Sequence, residues 1–234
     1  MTALRRALLR IAALGLIAGL PAAHAATEAR TLPPFQAVAL AGSIDLEVSQ
    51  GETQAVQVQA DDKLLPDVET VVANGRHGAT LEVRLKPGLR WFSGRVRVSL
   101  VLPRLQALSS NGSGDIRLAA FETPALHIAL AGSGNVRLAG LRTEALEIAI
   151  AGAGDVSGSG RATRLKVGIS GSGDVRLAEL AADEVAVKIA GAGDVAVNAQ
   201  QRLDVRISGS GDVSYTGAAV VSQSIAGSGR ITRR

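Results

Sequence analysis

The sequence predicts an all-β fold: a single-stranded parallel β-solenoid with coils of 18–20 residues, capped by a less regular N-terminal β region. Three observations carry this prediction. A small-Gly-small-Gly-acid turn followed by a β-branched residue recurs through the second half of the chain, as in "IAGAGDV" at 150–156 and 189–195. Apolar residues keep fixed offsets from the first glycine of that turn, with Gln223 breaking the pattern in the last coil. The composition is 47% hydrophobic but only 2% aromatic, with no cysteine. The core must therefore be assembled from Ala, Val, Leu and Ile, without disulfides, which suits thin and repetitive β layers.

The first glycine of the turn falls at Gly112, Gly132, Gly152, Gly171, Gly191, Gly209 and Gly227. Six, four and two positions before it stand apolar triplets such as Leu146, Ile148 and Ile150, or Leu165, Val167 and Ile169. Four positions after it comes a second column: Ile116, Val136, Val156, Val175, Val195, Val213 and Ile231. Period-two alternation on both sides of a Gly-rich corner means two strands, each with one buried face. A coil this short cannot bury its apolar edge alone, but stacked coils make one continuous core. Phe121, Leu141 and Leu180 belong to the longer coils and are predicted to fill the second corner.

A corner packed between its own copies needs positive φ and no Cβ, and glycine supplies both. The acid position reads Asp115, Asn135, Asp155, Asp174, Asp194 and Asp212, and ends at Arg230. Asp and Asn at a turn cap nearby backbone N–H groups, so a structural turn column is predicted. The competing reading is a calcium ladder. It fits less well: the nine-residue calcium repeat G-G-x-G-x-D-x-U-x has half this period, and Asn135 and Arg230 interrupt the acids. No metal or cofactor is predicted.

Residues 31–105 also read as β. Ala41-Gly42-Ser43-Ile44-Asp45 looks like a degenerate first corner, and "DDKLLPDVETVVANGRHGATLEVRLK" reads as a short helical turn, a strand, an Asn-Gly hairpin and a strand. No Pro/Ser-rich linker divides the chain, so 31–234 is predicted to be one domain, irregular over 31–105 and regular over 106–234. Phe35-x-x-Val38, "AGSIDLEVSQGE", "DDKLLPDVETVV", "LEVRLKPG" and "VSLVLPRLQALSSNGSGDIRL", followed by repeated G-S/A-G-D-V turns, resemble the DUF2807 family, the head GIN domain of putative auto-transporter adhesins. That resemblance implies a secreted, mostly bacterial β-helix-like domain. It supplies no catalytic residues.

Residues 1–25 read as a secretory signal peptide, with Arg5, Arg6 and Arg10 ahead of an apolar run at 11–22 and an Ala-His-Ala site. Cleavage is predicted before Ala26, which implies a periplasmic or extracellular protein with no membrane span in the mature chain. The leader holds three of the 25 Lys and Arg and none of the 21 Asp and Glu, which leaves 22 basic residues against 21 acidic. The pI of 10.1 is therefore no nucleic-acid signature.

No catalytic constellation is visible. His77 lies in a polar hairpin and His127 on an outward strand position, each read as exposed and unpaired. The serines belong to the turn column, and no helix follows the glycine turns to hold a phosphate. Arg117, Arg137 and Arg176 share an outward column two residues after the acid, where they coat a solvated face or grip an acidic polymer. Trp91 and Phe92 form the only adjacent aromatic pair, either a cap over the solenoid end or a contact patch. The function predicted is a non-enzymatic structural or interaction domain of a bacterial envelope, adhesin-like or scaffolding. Its partner would be an envelope protein or glycan, with self-association through the solenoid ends. A polysaccharide-binding or polysaccharide-degrading β-helix protein is the alternative.

Overall fold

The computed structural model describes residues 25–88 and 94–234; residues 1–24 of the predicted leader and the Trp91–Phe92 pair lie outside them. The described chain forms one seventeen-stranded sheet that winds on itself. The N-terminal strands are β1 (Ala25–Ala29), β2 (Ala37–Ala41), β3 (Ile44–Gln50), β4 (Ala55–Asp61), β5 (Val68–Gly75), β6 (Gly78–Leu85) and β7 (Val96–Leu102). The coils follow as β8 (Ala107–Asn111), β9 (Ile116–Leu118), β10 (Glu122–Leu130), β11 (Val136–Ile150), β12 (Val156–Ile169), β13 (Val175–Ile189) and β14 (Val195–Ile207). The last are β15 (Val213–Thr216), β16 (Val220–Ile225) and β17 (Ile231–Arg233).

Two parallel ladders run the length of the solenoid. The first face stacks β6, β2, β8, β10, the C-terminal halves of β11 to β14, and β16. The second stacks β7, β3, β9, the N-terminal halves of β11 to β14, β15 and β17. Ile128, Ile148, Val167, Val187 and Val205 form one inward file, each at most 2% exposed. Val136, Val156, Val175, Val195 and Val213 face them from the second ladder and are equally buried. The seven glycine corners enclose six turns. Period two in the sequence is therefore inside against outside in the coil.

The second corner is a bend within a strand, not a loop: β11 to β14 each run through it for 13–15 residues. Phe121, Leu141 and Leu180 are buried there, at most 2% exposed. Register shifts at Leu138/Leu141, Ser157/Ser159 and Leu177/Ala181 absorb the changes in coil length.

The N-terminal half departs from chain order. β2 and β3 form a coil that is paired on both sides: Ala37 faces Thr80 of β6 on one side and Ala107 of β8 on the other. The chain therefore leaves the stack after β3, returns on its far side as β6–β7, and resumes on its near side at β8–β9. β4 does not pair with β3, to which its turn connects it, but runs antiparallel between β7 and β1. β5 and β6 form the expected hairpin. Its loop is Arg76-His77, closed by Gly75 opposite Gly78, rather than Asn74-Gly75. Antiparallel strands thus close the N-terminal edge. At the other end Gln223 sits in the core column, and Val220 and Ile225 are 77% and 39% exposed.

Candidate functional site

The corners decide which acids are available for chemistry. A Cβ built on Gly132 would fall on the backbone of Gly112, one on Gly152 on that of Gly132, and one on Gly171 on that of Gly152. The contact continues through Gly191, Gly209 and Gly227, and below Gly112 it reaches Gly42, so the degenerate corner at 41–45 joins the file. Within the column only Gly42 (φ 103°) and Gly227 (φ 151°), at its two ends, have positive φ. The inner glycines are required by close approach of the neighbouring coil, not by backbone conformation, which corrects half of the reason the sequence suggested.

The acid column is corrected in the same way. Its side chains do not cap their own turns; they reach the next coil. The Asp115 N–H donates to Asp45 Oδ1 at 3.0 Å, Asn135 N–H to Asp115 Oδ1 at 3.2 Å, and Asp155 N–H to Asn135 Oδ1 at 3.1 Å. Asp174, Asp194, Asp212 and Arg230 continue the ladder, their N–H groups 2.8–2.9 Å from the Oδ1 below. Each side chain satisfies one backbone donor that the corner geometry leaves outside the sheet ladder. Asn135 performs the same task without charge and also donates its Nδ2 to Asp115 Oδ1 at 3.0 Å.

Arginines offset the remaining charge. Arg176 bridges two coils, at 2.9 Å from Asp155 Oδ2 and 2.7 Å from Asp174 Oδ2, and Arg230 lies 3.1 Å from Asp212 Oδ2. Burial pushes the Asp155 carboxyl up, but the Asp174 N–H and the Arg176 guanidinium outweigh it and hold the group below the usual carboxylate range. The Arg230 N–H and guanidinium hold Asp212 low. Substituting Asp174 by alanine removes the acceptor of the Asp194 N–H and should cost about 1 kcal/mol. Asp174→Asn should be nearly neutral, because an amide already serves at 135. Chemical denaturation of the two variants checks this. With every ladder Oδ1 engaged by an N–H, EDTA and calcium are expected to leave the melting temperature unchanged in a thermal scan.

The three predicted arginines differ in their surroundings. Arg117 and Arg137 stand in register on β9 and β11, while Ser157 occupies the next coil before Arg176. Arg176 is consumed by the ladder. Arg117 lies 3.7 Å from Glu47 Oε1 and Arg137 3.9 Å from Asp115 Oδ2, beyond hydrogen-bond range. About half of each of these two side chains is exposed. They border a groove on the outside of the second face.

The histidines are not isolated, contrary to the sequence reading. The β5–β6 hairpin folds back along the first face and lays His77 on His127, ring centroids 5.0 Å apart and planes at 27°. His127 Nδ1 lies 3.5 Å from Glu147 Oε2, and Glu147 Oε1 accepts a hydrogen bond from Lys166 Nζ at 2.7 Å. That bond holds the Glu147 carboxyl below its usual range. The four side chains line one end of an open groove of about 720 Å³ on the first face. A sequence separation of 50 residues gave no sign of the pair; the register of His127, Glu147 and Lys166 was readable from the coil length. Among the described residues no group of three or more His, Cys, Asp or Glu is arranged to hold a metal ion.

Glu147, Asp155 and Asp212 share a sign. A carboxyl whose folded pKa lies below its unfolded value adds stability above the unfolded value and loses it as pH falls through the folded one. The melting temperature should therefore be level above the ordinary carboxylate range, near pH 4, and decline below it. Asp155→Asn should flatten part of that decline in a pH series of thermal melts.

Among curated proteins none matches the sequence. Solved structures do match. A putative adhesin from Bacteroides fragilis superposes with a TM-score of 0.84 at 24% identity, covering 92% of this chain and 99% of that one. A putative lipid binding protein from Parabacteroides distasonis gives 0.72 at 24% identity, covering 90% and 96%. A putative adhesin from Parabacteroides merdae gives 0.69 at 23%, again covering 90% and 96%. These likenesses establish the fold. Among the described residues no helix is long and apolar enough to cross a membrane. Residues 34–219 match the profile described as putative auto-transporter adhesin, head GIN domain, and the chain belongs to that family, DUF2807.

Proposed function

We propose that the chain is a non-enzymatic, adhesin-like binding module of a bacterial envelope, exported by the leader read in residues 1–25 and acting in the periplasm or outside the cell. One observation carries this reading. The repeated acids, which a glycan-cleaving β-helix would hold free in a groove, are committed as acceptors for the backbone of the next coil. What remains for function is the outer surface, where a stiff ladder presents side chains in fixed rows. The family description and the adhesin neighbours support a binding role, and one neighbour is described as a putative lipid binding protein. Sedimentation of the purified mature chain with envelope fractions tests the reading. Saturable binding without product release from a panel of acidic glycans is expected. Failure to bind any envelope fraction, or turnover of a glycan, would overturn it.

A further inference from the structure

The groove outside the second face has a volume of about 550 Å³, inside the roughly 300–1,000 Å³ of small-ligand sites. Its walls are two rows of outward side chains that cross β4, β7, β3, β9 and β11 in register. Gln57, Ser99, Glu47, Arg117 and Arg137 make the polar row. Ala55, Val101 and Ser49, continued by Ala119 and Ala139, make a smaller and mostly apolar row, two residues further along the parallel strands and two residues earlier on antiparallel β4. Five strands at ~4.8 Å spacing give the groove a length of about 19 Å.

We propose that this groove binds an anionic membrane lipid, with the phosphate held between Arg117 and Arg137 and the acyl chain laid along the Ala139–Ala119–Val101–Ala55 row. The proposal rests on the binding-module reading above and names its ligand class. Three observations support it. Arg117 and Arg137 occupy adjacent strands about 4.8 Å apart, close enough for two guanidinium forks to close on one phosphate. Among the described residues neither guanidinium donates a hydrogen bond, in contrast to Arg176 two coils on. The adjoining row is aliphatic apart from Ser49, and among the described residues no aromatic side chain lines the groove to stack on a sugar ring. An amphiphile satisfies both rows at once; a polyanionic glycan would satisfy only the arginines.

The test is sedimentation of the mature chain with phosphatidylglycerol–phosphatidylcholine vesicles and with vesicles of phosphatidylcholine alone. Binding should need the anionic lipid. Each of Arg117→Gln and Arg137→Gln should weaken it about tenfold, and Arg117→Glu/Arg137→Glu should abolish it. Ala139→Glu, which puts a charge on the apolar row, should also abolish it. Arg164→Glu/Arg202→Glu on the opposite face should leave it unchanged. Equal loss in the opposite-face variant would mean general charge attraction and overturn the proposal. So would unchanged binding in the Arg117/Arg137 variants, or full competition by glycerol phosphate, which has a head and no chain. Binding of an acidic polysaccharide through the same arginines, with no vesicle binding, would overturn it as well. Thermal melts verify folding, and the glutamine variants stand in if the glutamate pair does not fold. Envelope binding that survives Arg117→Glu/Arg137→Glu would sink the lipid groove and leave the module reading intact.

Discussion

Gly152→Ala is expected to cost about 3 kcal/mol or more, a large share of the roughly 5–15 kcal/mol that holds a typical domain folded. The added methyl would meet the carbonyl oxygen, carbonyl carbon and nitrogen of Gly132. These are backbone atoms tied into the sheet on both sides, so they cannot step aside as a side chain end could. In urea the midpoint should drop with little change of slope. Gly168→Ala is the internal control. It lies in the same strand as the run leading to Gly171, its φ is not positive, and the nearest atom to its new methyl is Ile148 O at 3.9 Å. That change should stay within about 0.5 kcal/mol. Equal costs at the two sites would mean that the corners are not in contact.

Ile148→Ala should cost about 2–5 kcal/mol, the range for deleting a fully buried aliphatic side chain. Ile148 is 1% exposed, between Ile128 below and Val167 above. Ile225→Ala, at the same face but 39% exposed on the last coil, should cost under about 1 kcal/mol, because water already fills part of its surroundings. A stacked array can also lose cooperativity when a central unit is weakened. A broadened or two-step transition in Ile148→Ala, with a single sharp one in Ile225→Ala, would locate the break in the middle of the stack. Denaturation followed by circular dichroism decides both points.

Individual residues show how much was legible. Val136, Val156, Val175, Val195 and Val213 announce themselves as one inward file, because an 18–20-residue period puts the same residue type at the same place in each coil. Arg117 and Arg137 are placed side by side by the same arithmetic. The glycine column is readable as a column, yet its cause is not: φ values and the position of the carbonyl below are properties of the folded stack. Asp155 illustrates the limit again. A turn acid in a sequence looks local, and only coordinates reveal that its hydrogen-bond donor is Asp174, nineteen residues on.

What the sequence determined by itself is everything that repeats: coil length, inward and outward faces, the corner and the neighbour of each residue in the regular coils. Periodicity encodes those contacts directly. Tertiary structure alone decided what does not repeat. The insertion of β2–β3 between β6–β7 and β8–β9, the antiparallel closure by β4 and β1, the meeting of His77 with His127, and the joining of Ala55 and Val101 to the arginine groove are single pairings. Each brings together segments with no shared period, chosen by which edges remain to be covered once the coils are stacked. A pairing that occurs once leaves no pattern along the chain.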